Sequence, residues 1–233
     1  MKNKKSNLLE NVGDFFVNLL YPPRCIFCGE ITIDKSIICP PCKKALADEL
    51  NNKSPDVYKK NFQNINKYAA VLEYNSFTKK AVIDLKHHGR REACQFFGEL
   101  LFDEYKNIYG DRAFDAIIPV PMHKIKKHKK GFNQAELIAR EISKRANSKV
   151  LLDCLVKPKY KKQQKLLSGQ MRRENAMGAY KVIDEDLIRG KSILLVDDIC
   201  TTGSTLDSCA RILLACGARE VCGMVIASTV LNE

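Results

Sequence analysis

The chain has 233 residues, 45% of them hydrophobic and 28% charged, enough apolar material for one full domain and a small module but too little length for two full domains. Its formal net charge of +12 and isoelectric point near 9.2 attract polyanions without separating nucleic acid from a phosphorylated small molecule. No apolar run approaches the ~18 residues of a spanning helix, so no membrane span is expected, and without a cleavage pattern after the basic N-terminus a cytoplasmic location is the expectation.

In residues 1–21, Leu8, Leu9, Val12, Phe15, Phe16, Leu19 and Leu20 recur at helical spacing, with Asn7 and Glu10 placed as a capping pair. They predict an amphipathic helix that Pro22 and Pro23 stop.

Residues 22–50 follow with Cys25-Ile26-Phe27-Cys28 and Cys39-Pro40-Pro41-Cys42, ten residues apart. Four thiolates so close suit one tetrahedral Zn2+, in a small ribbon with all four positions filled and so a structural role. Metal binding would also stabilise a segment too short to build its own core. The alternative, a disulfide or redox pair, usually places Cys-x-x-Cys after a strand of a thioredoxin-like domain. Cys94, Cys154, Cys209, Cys216 and Cys222 read as small buried hydrophobes in a reducing compartment. Residues 51–66 are polar, broken by Pro55, and predict a linker.

In residues 67–233, short apolar runs of strand length stand at 68–74, 116–120, 150–152, 193–196 and 221–227. Helical periodicity appears at 97–105, 134–145 and 206–216. Such alternation implies an α/β fold with a mostly parallel sheet flanked by helices.

The sharpest signal is Ile193-Leu194-Leu195-Val196-Asp197-Asp198-Ile199-Cys200-Thr201-Thr202-Gly203-Ser204-Thr205-Leu206, an apolar strand ending in two acids and turning into a helix. Amides at a helix start, with Thr201, Thr202, Ser204 and Thr205 hydroxyls beside them, offer several donors to a phosphate. Gly203 allows close approach of the backbone. Asp197 and Asp198, at the carboxyl end of a strand, are placed to accept from a vicinal diol.

This run resembles the signature with which type I phosphoribosyltransferases bind phosphoribosyl pyrophosphate (PRPP), Cys200 standing where that family has an aliphatic or aromatic residue. Pro119-Val120-Pro121, Gly131-Phe132-Asn133-Gln134-Ala135, then Gln164, Leu167, Arg172, Asn175 and Gly178-Ala179-Tyr180 follow one another as in the ComF family, whose ComFC members serve natural transformation. Lys130 stands where ComF proteins commonly have Arg. The resemblance implies PRPP, with Mg2+, as ligand at Asp197 to Thr205. It also implies a pyrophosphate and mobile-loop role for Lys130, Gln164 and Arg172, and competence proteins as partners.

Two lysine-rich stretches, residues 124–130 and 157–165, would suit a pyrophosphate leaving group or a DNA backbone equally. Lys86 adds a cation just after a helical run; His87 and His88 lack ligand spacing to the cysteines and carry no catalytic role. Two functions remain open. One is a PRPP-binding protein of DNA uptake that handles single-stranded DNA. The other is an active phosphoribosyltransferase of nucleotide metabolism with no direct DNA role. The chain has no Trp to form base-stacking platforms, and no element or catalytic residue for a nucleobase acceptor is apparent.

Overall fold

A computed structural model of the chain describes residues 22–32, 36–52, 60–158 and 179–230. The helix expected over residues 1–21, and Gln164 and Arg172, lie outside the described residues. The chain divides into two units after Asn52.

In the first unit, Arg24 bridges Ile31 in antiparallel fashion, and the Cys25 N–H donates to the Glu30 carbonyl at 2.8 Å. The Gly29 N–H closes the turn onto the Cys25 carbonyl, also at 2.8 Å. After Cys39 the chain passes into helix α1 (Pro40–Asn51), a helix that the spacing of the cysteines did not announce. Pro40 and Pro41 open this helix because the first helical positions need no N–H donor and favour proline's fixed φ.

The second unit is built on a four-stranded parallel sheet in the order β1 (Tyr68–Glu73), β6 (Glu220–Ser228), β5 (Ser192–Cys200), β2 (Ala116–Pro119). The expected strand at 150–152 is reduced to one parallel bridge, Val150 beside Ile117 on the β2 edge. Between β1 and β2 lie α2 (Ser76–His88) and α3 (Arg91–Tyr109); between β2 and β5 lie α4 (Lys124–Lys130), α5 (Gln134–Ala146) and a two-stranded antiparallel ribbon of β3 (Leu155–Val156) and β4 (Lys181–Val182). Helix α6 (Ser204–Ala215) joins β5 to β6.

Helices α3 and α5 pack together over the sheet, while α6 joins the ribbon in a core with Ile193, Leu195, Val221 and Val225. The strands are buried along nearly their whole length, which is why they read as continuous apolar runs rather than alternating ones. α2 begins with a reciprocal cap: the Asn75 carboxamide oxygen accepts from the N–H groups of Phe77 and Thr78, each at 3.0 Å, and the Thr78 hydroxyl accepts from the Asn75 N–H at 3.1 Å.

Part of the expected linker is fastened to this unit. The Asp207 carboxylate, in the first turn of α6, accepts from the N–H groups of Gln63 (2.9 Å) and Asn64 (2.8 Å) and from the Asn64 side chain (2.9 Å). Polarity there reflects hydrogen bonding to the domain.

Candidate functional site

β5 runs on through the acidic pair: its register with β6 continues to Ile199 opposite Ala227 and Cys200 opposite Ser228. The sequence reading ended the strand at Val196. The difference matters because successive side chains of a strand point to opposite faces. Asp198 faces α5 and α2, and is 4% exposed. One of its oxygens accepts from the Ile199 N–H at 2.8 Å, and the other from Gln134 Nε2 at 2.8 Å, with Lys86 Nζ 3.5 Å away. Asp197 is half-buried at the cleft, and one of its oxygens accepts from the Asp198 N–H at 2.9 Å. Burial first, then the adjacent Asp198 charge, pushes the Asp197 carboxyl well above the usual carboxylate range.

Beyond Cys200 the chain turns through Thr201, Thr202, Gly203, Ser204 and Thr205 into α6. Gly203 has φ +81° and caps the helix without any side-chain hydrogen bond. A Cβ there would sit 2.6 Å from Phe62 Cε1, so both the backbone angle and the overlying ring require glycine. The Thr202 and Ser204 hydroxyls are 2.9 Å apart, and the Ser204 N–H reaches Thr202 Oγ1 at 3.4 Å. The N–H groups of Gly203, Thr205 and Leu206 meet no protein acceptor among the described residues, as expected for the first turn of a helix. The turn surrounds a small hollow of about 60 Å3.

A larger cleft of about 1080 Å3 opens beside the acids. Its walls carry Lys86 and His87 from α2, His123, Lys126, Lys129 and Lys130 from α4 and its cap, Asn133 and Gln134 from the start of α5, and Lys157. The 124–130 stretch is therefore a short helix whose lysines divide by face. Lys126, Lys129 and Lys130, at helical spacing, line the cleft, while Lys127 pairs with Glu136 at 2.6 Å and lines a different hollow with Lys124.

The Gly-Phe-Asn-Gln run joins the two walls. Phe132 lies over Gly89, the left-handed residue ending α2, where a Cβ would meet the ring at 2.5 Å. The Asn133 side chain caps α5 by accepting from the Ala135 N–H at 3.2 Å and donates to the Val120 carbonyl at 3.0 Å. Gln134, 7% exposed, reaches Asp198 and accepts from Lys130 Nζ. Lys130 itself lies 4.3 Å from the Phe132 ring centroid. Sequence reasoning assigned no job to Lys86 or Gln134; the α2 to α5 contact that brings them to Asp198 is long-range.

In the first unit the sulfurs of Cys25, Cys28, Cys39 and Cys42 lie within 4.8 Å of one another, with 3.6 Å between Cys28 and Cys39. A tetrahedron with Zn–S near 2.3 Å has an edge of about 3.8 Å, whereas a disulfide needs about 2.05 Å. The four thiols thus fit a structural zinc, with no open position for catalysis. Of the other cysteines, Cys94, Cys154, Cys200, Cys209 and Cys222 are buried and free, while Cys216 is only half-buried. No described helix is long and apolar enough to cross a membrane.

Comparison with known proteins matches residues 100–230 to the phosphoribosyl transferase domain and residues 16–54 to the double zinc ribbon domain. Competence protein F of Haemophilus influenzae is 32% identical over 108 residues, which are 46% of this chain and 47% of that protein. Competence protein ComFC of Bacillus subtilis is 27% identical over 184 residues, 77% of this chain and 72% of that one. The chain thus spans about half the length of the first relative. Among solved structures, the glutamine PRPP amidotransferase of B. subtilis aligns with a TM-score of 0.46 at 17% identity, over 62% of this chain and 30% of that chain.

Proposed function

The chain belongs to the phosphoribosyl transferase domain family, as a ComFC-like member with an N-terminal zinc ribbon, and from that premise we propose that it binds a 5-phosphoribosyl ligand, PRPP with its Mg2+, and serves DNA uptake by handling single-stranded DNA. The observation that carries this reading is the order of chemistry along the end of β5. An amide-rich turn stands at one end, a half-buried carboxylate follows, and a lysine-lined cleft lies beyond. PRPP has the matching order of monophosphate, diol and diphosphate.

In this reading the N–H groups of Gly203, Thr205 and Leu206, with the Thr202 and Ser204 hydroxyls, hold the 5-phosphate at the positive end of α6. Asp197 accepts from the ribose. The cleft lysines face the diphosphate, stabilising charge that develops if it leaves; Mg2+, arriving with the diphosphate, would neutralise part of that charge. The DNA role draws on the names of the relatives and on the +12 net charge.

Calorimetric titration with PRPP and MgCl2 tests the pocket. Asp197→Ala with Asp198→Ala is expected to abolish binding, and unchanged affinity would defeat the assignment. Fluorescence anisotropy with a labelled oligonucleotide tests the DNA role. Affinity should fall steeply with salt, and less steeply after Lys126→Ala and Lys129→Ala; a flat dependence in the unmodified protein counts against it.

A further inference from the structure

We infer that the two acids divide the work: Asp197 alone meets the ribose, whereas Asp198 is a positioning residue that, through Gln134 and Lys86, fixes Lys86 and Lys130 as a clamp for the diphosphate. The inference rests on the phosphoribosyl reading above and deepens it by assigning the diphosphate's contacts.

Three observations lead there. Because β5 continues past the pair, Asp197 and Asp198 cannot both turn to one face of the sheet. Asp198 is also committed to the protein, its oxygens taken by the Ile199 N–H, by Gln134 and by Lys86, and it is almost wholly buried. A ribose would have to displace those partners. Finally, the partners lead outward: Gln134 accepts from Lys130, and both lysines line the cleft from different elements, α2 and α4.

The electrostatics give the arrangement a purpose. Two ammonium groups close together repel, and burial, with the Lys86 charge adding to it, already pulls Lys130 below the ordinary lysine value. Asp198 acts on Lys130 in the opposite direction. One buried carboxylate held behind two ammoniums offsets their mutual repulsion and lets both be held at the same wall of the cleft. Two ammoniums fixed side by side suit a diphosphate and give little to a neutral diol.

The test compares the affinities of the full zinc-loaded chain for ribose 5-phosphate, inorganic pyrophosphate and PRPP, with Mg2+ present. Asp198→Asn keeps the side-chain shape and removes the charge. It should weaken pyrophosphate and PRPP about tenfold or more, as loss of a charge-assisted contact does, and leave ribose 5-phosphate within about twofold. Lys86→Met, at a partly exposed position, should do the same and keeps the test alive if the buried Asn variant folds poorly. Asp197→Asn should show the reverse pattern, weakening ribose 5-phosphate and sparing pyrophosphate. In Asp198→Asn, pyrophosphate affinity should also begin to fall at a lower pH than in the unmodified protein, a shift that a merely structural role would not cause.

Equal loss of ribose 5-phosphate in the two Asn variants would make Asp198 a second ribose contact and overturn the proposal. Pyrophosphate binding unaffected by Asp198→Asn and Lys86→Met would also overturn it while leaving the phosphoribosyl reading intact. An unmodified protein that takes pyrophosphate but neither phosphoribosyl compound would sink that reading and with it the ribose role of Asp197, leaving only the pairing of Lys86 and Lys130 on an inorganic anion. Failure to bind any of the three ligands would overturn both.

Discussion

Replacing Gly203 by alanine tests whether the turn is held by its backbone angle and by Phe62 together. At φ +81° an L-residue costs roughly 1–2 kcal/mol relative to glycine. The new Cβ would lie 2.6 Å from Phe62 Cε1, and forcing an extra carbon into such a contact adds about 1–3 kcal/mol. Phe62 cannot swing away freely, because Gln63 and Asn64 are bound to Asp207 and its ring lies 4.9 Å from that of Tyr68. Gly203→Ala should therefore destabilise the second unit by about 2–5 kcal/mol, taken as the sum of these two costs. Urea unfolding of the single variants and of Gly203→Ala with Phe62→Ala separates them. Phe62→Ala should remove the steric part and leave the backbone part, so the double variant should be more stable than the two single effects added together. A change within about 0.5 kcal/mol for Gly203→Ala, the level of an ordinary surface substitution, or strictly additive variants, would refute the reasoning.

Other outcomes follow from the same structure. Cys28→Ser or Cys39→Ser should lower the zinc content of purified protein well below one per chain; full retention would show that the metal is held elsewhere. Asp197 should make the ligand-free protein less stable as pH rises. The folded state keeps a proton that the unfolded chain releases near pH 4, so the stabilisation is complete below that pH and is lost on the way up to the raised folded value. Asp197→Asn should thus gain stability relative to the unmodified protein, more at pH 8 than at pH 4, and an equal difference at the two pH values would contradict the assignment. Asn75→Ala removes both amide contacts at the start of α2 and should cost about 1 kcal/mol, measured by denaturant midpoint; no change would mean the cap is dispensable.

The sheet was largely legible because its strands are buried on both faces and carry unbroken apolar runs, and β1, β2 and β6 lie within a residue of the expected bounds. β5 was read short since an acidic pair looks like a strand end; what carries the strand onward is pairing with β6, which has no local signature. The 150–152 run looked like a strand by composition, yet one bridge is all the sheet edge gives it. α1 was hidden by Pro40 and Pro41, which resemble a turn when not seen as the first residues of a helix. α4 was hidden for another reason. It has no apolar stripe, and its ends are set by the His123 cap, whose ring accepts from the Ile125 N–H at 3.3 Å, and by Gly131. In the candidate site, the acids, the hydroxyl turn and the lysine-rich stretch could be picked out one by one. Which lysines share a wall with Asp198 depended on the Phe132 seat over Gly89, a contact between positions 43 apart in the chain.

The hydrogen bonds that tie residues 63–64 to Asp207 also alter the electric landscape of α6. An acid in a helix's first turn would ordinarily repel an arriving phosphate at that same end. Here three N–H donors already occupy its oxygens, so its lone pairs are turned to residues 63–64 instead of toward the proposed phosphate position. A truncated protein starting at residue 65 would uncover that acid beside the turn, and should bind the proposed 5-phosphate more weakly than the full chain although every residue of the turn was still in place.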